Sequence, residues 1–335
     1  MFNVAVVGAT GAVGGVMLRV LEERGFPVTE LRPLASSRSA GRELDYLGQA
    51  RTVQELTTDS FEGIQIALFS AGATRSREFA PAAVEAGAVV IDNSSAYRMD
   101  AAVPLVVPEV NESDLESHSG IVANPNCVAA PLVVALKPIR DAVGLERVIV
   151  SSYQSVSGTG AAAVEELITQ ATGYLAGDEP APSVYPHPIA FNVLPHIDVF
   201  DESGYTGEER KVAAETRKML GMPDLRVSAT CVRVPVLYAH SQSVQIETTD
   251  RISAEDARRL LMAAPGVVLV DEPELKRYPL PREAAGRDEV LVGRIRQDSS
   301  HDRGLALWIS SDNLRKGAAT NAVQIAESLV TRGWL

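Results

Sequence analysis

Apolar runs of strand length alternate with helix-period segments through the first third of the chain. Residues 3–7, 30–35, 64–70 and 88–93 read as short buried strands, and residues 13–24 and 75–87 between them repeat apolar positions at helical spacing. This β-α-β rhythm predicts a Rossmann-type doubly wound parallel sheet in an α/β protein. Residues 120–123 read as one more short strand, and from about residue 146 the texture changes. Residues 148–156 and 225–238 are longer and alternate apolar with polar, as half-buried antiparallel strands do, and 244–248, 289–297 and 304–310 continue the pattern. They predict a second, α+β domain. Ala318, Ala322, Ile325, Ala326 and Leu329 fall at helical spacing in a C-terminal helix assigned back to the first sheet. The predicted division is therefore 1–126 plus 312–335 for one domain and 127–311 for the other. Residues 173–195, rich in Pro and Gly, predict a long loop of the functional or interfacial kind.

Composition narrows the class. The 335 residues are 46% hydrophobic, enough for two cores, and 31 basic against 43 acidic residues give a net charge of −12. Such a balance argues against a nucleic-acid or anionic-membrane surface, so an anionic substrate must be met by a local cluster of Arg and Lys. Two cysteines make no disulfide framework, and no basic leader precedes the first apolar stretch. The longest uncharged apolar run, residues 128–136, is far short of the roughly 20 residues of a membrane helix. A cytoplasmic protein without membrane or nucleic-acid partners is expected, and no metal site.

Gly8, Gly11 and Gly14 follow a buried strand and open a helix, where free N–H groups and the helix dipole favour a phosphate. Gly8, Thr10, Gly11, Ala12 and Val13 are the candidate cofactor contacts. The second strand ends in Ser36, Ser37, Arg38 and Ser39 rather than in the carboxylate that holds a ribose 2′-hydroxyl. Hydroxyls and a guanidinium suit a 2′-phosphate, so the expected cofactor is NADP.

Asn124-Pro125-Asn126-Cys127 lies between a short strand and an apolar helix that carries Pro131 in its first turn. A cysteine there is stabilised as thiolate by the helix dipole. A small buried thiol is the other reading of that position. Cys231, inside an alternating run, reads as structural.

Taken together, Gly8 to Gly14, Asp92-Asn93-Ser94-Ser95-Ala96-Tyr97-Arg98, the Asn124 to Cys127 stretch, Ser152-Tyr153-Gln154-Ser155-Val156-Ser157-Gly158, Ala190-Phe191-Asn192-Val193-Leu194-Pro195, and Cys231-Val232-Arg233-Val234-Pro235 followed by Ala239-His240-Ser241 resemble the bacterial aspartate-semialdehyde dehydrogenases from end to end. The resemblance implies NADPH-dependent, reversible conversion of 4-phospho-L-aspartate to L-aspartate 4-semialdehyde, in lysine, methionine, threonine and diaminopimelate biosynthesis. It also implies a homodimer or homotetramer, with a second domain that is both catalytic and dimerising.

Roles follow from the same resemblance. Cys127 is the expected nucleophile that forms a thioester, a task suited to a thiolate because it both attacks and leaves well. His240 is the expected acid/base, titrating near neutrality. Gln154 orients the substrate carbonyl, Arg233 forks the α-carboxylate, Glu208 takes the amino group, and Arg98, Asn126 and Lys211 meet substrate and phosphate. Ser157 and Gly158 line the nicotinamide, with Asn313 or Gln324 completing that pocket. Read alone, Glu208 and Lys211, three apart on a helix, also fit a surface ion pair, and Arg233 a structural salt bridge.

Two other families share parts of this pattern. N-acetyl-glutamyl-phosphate reductases use the same thioester logic but carry Gly before and Tyr after the cysteine, where this chain has Asn126 and Val128. A catalytically silent NADP-binding regulator would have lost its thiol or helpers, yet Cys127, Gln154, Arg233 and His240 are all present.

Overall fold

The computed structural model describes residues 1–335, which form two compact units, Met1–Asn126 with Gly317–Leu335 and Cys127–Lys316. In the first, strands β1 (Phe2–Val7), β2 (Val28–Ala35), β5 (Gln54–Glu55), β6 (Ile66–Phe69), β7 (Val89–Asp92) and β8 (Ile121–Ala123) make one sheet in the order β5-β2-β1-β6-β7-β8, parallel throughout. Helices α1 (Ala12–Glu23) and α2 (Ala73–Glu85) make crossovers, and a short α3 (Pro108–Asn111) precedes β8. Strands covered on both faces must be apolar on both, and every residue of β6 and β7 is buried. Phe79, Ala80 and Ala83 of α2 pack with Ala5, Val7, Ala67, Phe69 and Val90 on one face. The strand order reverses between β1 and β6, and Gly8 follows β1 at that switch point, where doubly wound sheets bind ligands.

The apolar pattern predicts no element between residues 36 and 63. The structure has a small antiparallel hairpin there, β3 (Glu43–Tyr46) with β4 (Gln49–Thr52), turned by Leu47 and Gly48, whose φ angles of 55° and 70° match the twist of a tight hairpin.

The second unit begins with α4 (Ala129–Val143) and continues through β9 (Arg147–Gln154), α5 (Ala161–Ala176), α6 (Gly207–Met219), β10 (Arg226–Arg233), β11 (His240–Glu247), α7 (Ala254–Met262), β12 (Val267–Leu269), a short α8 (Pro281–Ala284), β13 (Val290–Gln297) and β14 (Gly304–Ser311). Its sheet runs β10-β9-β11-β14-β13-β12. Three corrections arise. The alternation of β9 and β10 suggested antiparallel pairing, yet these two strands are parallel, because α5, a long loop and α6 carry the chain back before β10. Alternation reports one open face; it is silent on direction. Strand β10 stops at Arg233, short of the expected 238, ahead of Pro235, which has no N–H for a ladder. The loop expected from residue 173 starts later, since α5 continues to Ala176 and ends on the left-handed Gly177.

Residues 312–316 also belong to the second unit. Asp312 accepts from the backbone of Gly286, Leu314 and Arg315, and Arg315 pairs with Asp288. The chain therefore returns to the first unit at Gly317 rather than at 312, and ends in α9 (Thr320–Arg332), which lies against α1 and β7.

Candidate active site

In the first unit the turn after β1 is made of backbone. Gly8 sits at φ 85°, and a Cβ on Gly14 would stand 2.2 Å from the Gly8 carbonyl oxygen, so helix and strand approach as closely as two backbones can. Gly11 heads α1 with no side-chain cap, and Thr10, Gly11 and Ala12 are exposed beside the half-buried Val13. The first-turn N–H groups thus face outward for an anion. After β2, Ser36, Ser37 and Arg38 are exposed, Ser39 is half-buried, and Arg38 has no carboxylate partner. This cradle and its unpaired guanidinium fit a dinucleotide that carries a 2′-phosphate.

The same unit fixes Arg98. Asp92, fully buried, accepts from Ser76 Oγ, Ser94 N and Ser94 Oγ at 2.6–3.0 Å, which folds the following loop back on the sheet. Arg98 then donates to the carbonyls of Asn124 and Asn93. Asn124 is tied to Asn93 and Asn321, so the approach to Asn126, itself buried, is held by amides. Gln324 of α9 donates to Glu109.

In the second unit the register of the sheet assembles the thiol site. Gln154 ends β9 opposite Arg233, which ends the parallel β10, and His240 starts the antiparallel β11 at the same edge. Cys127 lies just before α4, partly exposed, with Sγ 3.5 Å from His240 Nε2. Gln242 donates to the Val128 carbonyl and holds the start of that helix. His240 is buried, and burial, aided by the positive charge of Arg233, lowers its pKa well below the ordinary histidine value. Burial and the nearby guanidinium thus favour the neutral ring relative to an exposed histidine.

Arg233 is 5% exposed and donates to the Ser155 carbonyl, with Tyr185 6.0 Å from its guanidinium carbon. Its Nε has no partner and no carboxylate pairs with it. A Cβ at Gly158 would lie 3.1 Å from Arg233 Nη1 and 3.3 Å from the His240 ring, so glycine keeps the space between them open. Asn313 Oδ1 gathers Ser155 Oγ, Ser157 Oγ and the Ala239 N–H.

Gln154 Nε2 bonds to Ser152 Oγ and Glu208 Oε1. Glu208 also pairs with Lys211, which reaches Asp198 at 2.9 Å. Burial opposes the charge on Lys211, but Glu208 and Asp198 outweigh it and raise its pKa. Asp198 was missed from the sequence, as were Ser155 and Tyr185. Asp198 packs so close to Gly207 that a Cβ there would stand 2.6 Å from its carboxylate oxygen. Cys231 is buried beside Ser152, and burial pushes its thiol up to about 12.

The structure thus gathers Cys127, Gln154, Ser157, Gly158, Glu208, Lys211, Arg233, His240 and Asn313 in the second unit, and carries Gly8 to Val13, Ser36 to Ser39, Arg98, Asn126 and Gln324 on the first.

Residues 3–118 match the family profile described as semialdehyde dehydrogenase, NAD binding domain, and residues 136–316 match semialdehyde dehydrogenase, dimerisation domain. An aspartate-semialdehyde dehydrogenase of Aquifex aeolicus is 56% identical over 99% of both chains. The chain belongs to the aspartate-semialdehyde dehydrogenase family. Within that family, the crystal structure of aspartate semialdehyde dehydrogenase II from Vibrio cholerae complexed with ASA superposes with a TM-score of 0.96 at 49% identity, covering 99% of this chain and 98% of that one. A Candida albicans member crystallised with NADP gives a TM-score of 0.79 at 26% identity over the full length of both. The Rossmann-type sheet and the mixed sheet of the second unit are the family's architecture.

Proposed function

We propose that this enzyme interconverts 4-phospho-L-aspartate and L-aspartate 4-semialdehyde with NADP(H) through a thioester on Cys127. The family supplies the reaction; the observation that carries the residue roles is a thiol 3.5 Å from an imidazole beside a buried arginine that has no carboxylate of its own. A buried guanidinium needs an anion, and a substrate α-carboxylate provides a planar one that it can fork. Met1–Asn126 with Gly317–Leu335 is the NADP-binding domain, with Ser36 to Ser39 at the 2′-phosphate, and Cys127–Lys316 is the catalytic and dimerisation domain.

The Cys127 sulfur attacks the aspartyl carbonyl; a C–S bond forms, the C–O bond to phosphate breaks, and phosphate leaves with the electron pair. Gln154 holds the carbonyl, Glu208 receives the substrate ammonium, and Arg98, Asn126 and Lys211 hold the phosphate, which competes with Asp198 for Lys211. NADPH, when bound, supplies the hydride. His240 is the acid/base that passes protons to and from the sulfur and the hemiacetal oxygen, and the C–S electron pair finally returns to sulfur as the aldehyde forms. Ser157 and Gly158 border the nicotinamide, with Asn313 or Gln324 completing that pocket.

Two copies associate through the sheet face that bears Tyr153 and Trp308, whose rings lie 5.3 Å apart and are partly exposed. Sedimentation tells whether dimers pair further. A reactive thiol needs a reducing compartment, which supports the cytoplasm; no helix is long and apolar enough to cross a membrane. The direct test follows NADP reduction with semialdehyde and inorganic phosphate, then maps the adduct by mass spectrometry. Turnover with the adduct on Cys127 is expected; an adduct on Cys231 overturns the assignment.

A further inference from the structure

Lys211 is assigned to the phosphate, yet two carboxylates already hold it. Its Nζ lies 2.9 Å from Asp198 Oδ2 and 3.1 Å from Glu208 Oε2. Two carboxylates against one ammonium leave this cluster one unit negative, a poor start for an anion site in a chain whose net charge is already −12. The two partners differ in kind. Glu208 is buried, lies on α6 within a turn of Lys211 and also meets Gln154 Nε2, so its place belongs to the helix and to the substrate ammonium. Asp198 belongs to no helix or strand, and no substrate group is assigned to it.

Its geometry is nonetheless specific. Asp198 stands at φ 71°, Oδ1 accepts from the Val199 N–H at 2.9 Å, and Oδ2 is left to point at Lys211. The segment is anchored on the start of α6, where Gly207 N donates to the Val199 carbonyl at 2.8 Å and Arg210 pairs with Asp201 at 2.8 Å. Gly207 has no side chain to push the carboxylate away. With 38% of the Asp198 side chain and 31% of the Lys211 side chain exposed, the pair is open to a competing anion, and rotation of one short side chain breaks it without unfolding anything.

We infer that Asp198 is a positioning residue that stands in for phosphate at Lys211. Its carboxylate holds the ammonium in place while the site lacks an anion, gives way when inorganic phosphate or the substrate phosphoryl group arrives, and retakes the lysine as phosphate leaves. The substrate ammonium offsets Glu208, and the remaining Lys211–Asp198 pair is neutral until a phosphoryl oxygen replaces Oδ2. No covalent bond changes in this exchange of one anion for another. Asp198 therefore weakens phosphate binding and hastens its release. This deepens the reading of Lys211 as a phosphate contact and rests on it.

The sign of the effect separates this role from a structural one, because damage to a site loosens its ligand whereas loss of a competing carboxylate tightens it. Asp198→Asn keeps an Oδ1 acceptor for the Val199 N–H and a side chain tolerated at positive φ, and deletes only the charge. In full-length enzyme assayed with NADP and semialdehyde, it is expected to lower the KM for inorganic phosphate about two- to fivefold, the range open to a solvent-screened pair. The KM values for semialdehyde and NADP should change little, and product inhibition by phosphate in the reducing direction should strengthen by the same factor. An unchanged or raised KM for phosphate overturns the inference. Asp198→Gly, at ease at this φ, should shift phosphate the same way and decides the matter should the amide variant not fold. Lys211→Met separates the two levels. A wild-type KM for phosphate there removes Lys211 from the phosphate site altogether, whereas a raised KM there alongside an unchanged one in Asp198→Asn removes the stand-in role alone.

Discussion

The nucleotide turn of the first domain and the thiol site of the second are built by opposite means. Gly8 to Gly14 act through backbone N–H groups within one strand-to-helix turn, and what matters is the side chains they lack. Cys127, His240 and Arg233 act through side chains that only the register of β9, β10 and β11 brings to one edge, with Cys127 and His240 separated by 113 positions. A site made of backbone tolerates no added atoms; a site made of side chains tolerates no lost ones. Substitutions should divide along that line.

The largest effect belongs to the thiol. Cys127→Ser should lower turnover by about a thousandfold or more, because an alcohol is not ionised at neutral pH and leaves poorly. Cys231→Ser should keep most activity, which steady-state assays of both variants would check. Comparable losses would erase the distinction between a working thiol and a packed one.

Next comes the glycine turn. Gly14→Ala forces a methyl to 2.2 Å from the Gly8 carbonyl, so α1 must shift, at about 1–3 kcal/mol, and NADP binding should suffer with it. Thermal unfolding with and without NADP reads both. A variant with normal stability and cofactor affinity would mean that the close approach is dispensable.

Charge recognition ranks third. Arg38→Gln should weaken NADP about tenfold or more while leaving NAD binding nearly unchanged, since only NADP offers a phosphate for the fork. Arg233→Lys should chiefly raise KM, a point charge replacing a planar donor pair. Measured cofactor affinities and the split between KM and kcat sharpen the comparison; equal losses for both cofactors would make Arg38 structural.

The smallest effect concerns the loop after α5. Glu166 accepts from Ser183 N, Ser183 Oγ and Val184 N, and Gln170 accepts from Ile189 N and Ala190 N, which clasps to α5 the segment that carries Tyr185 toward Arg233. Burial opposes the Glu166 charge, but these donors prevail and lower its pKa. Its contribution is therefore present above the ordinary carboxylate range and lost as pH falls through the lowered folded value. Glu166→Gln should cost about 1 kcal/mol, seen as faster proteolysis within residues 177–205 at neutral pH. Proteolysis unchanged by the substitution would show that the clasp does not hold the loop.

The same division explains what was legible. The glycine turn, the Ser-Ser-Arg-Ser end of β2 and the cysteine before α4 are contiguous in sequence and constrained locally by turn sterics and helix ends. The alternation of β9 and β10 revealed an open sheet face but not their parallel direction, which depends on a crossover of helices and loop. Ser155 lies within the Ser152 to Gly158 stretch, yet its partner ring is 85 positions away and nothing local announces the contact. The burial that lowers the His240 pKa is likewise a property of the packed domain, absent from any stretch of sequence. Asp198, in an irregular segment at φ 71°, had no pattern to reveal it.

The uncompensated guanidinium of Arg233 bears on how the enzyme should be assayed. A buried cation lacking a counter-charge is a receptor for any small carboxylate that can reach it, including those of common buffers. In citrate, succinate or acetate the apparent KM for semialdehyde should climb with buffer concentration at constant ionic strength and constant kcat, whereas a zwitterionic amine buffer should leave it unchanged. Apparent affinities for this enzyme are thus properties of protein and medium together, comparable only between solutions whose anions are the same.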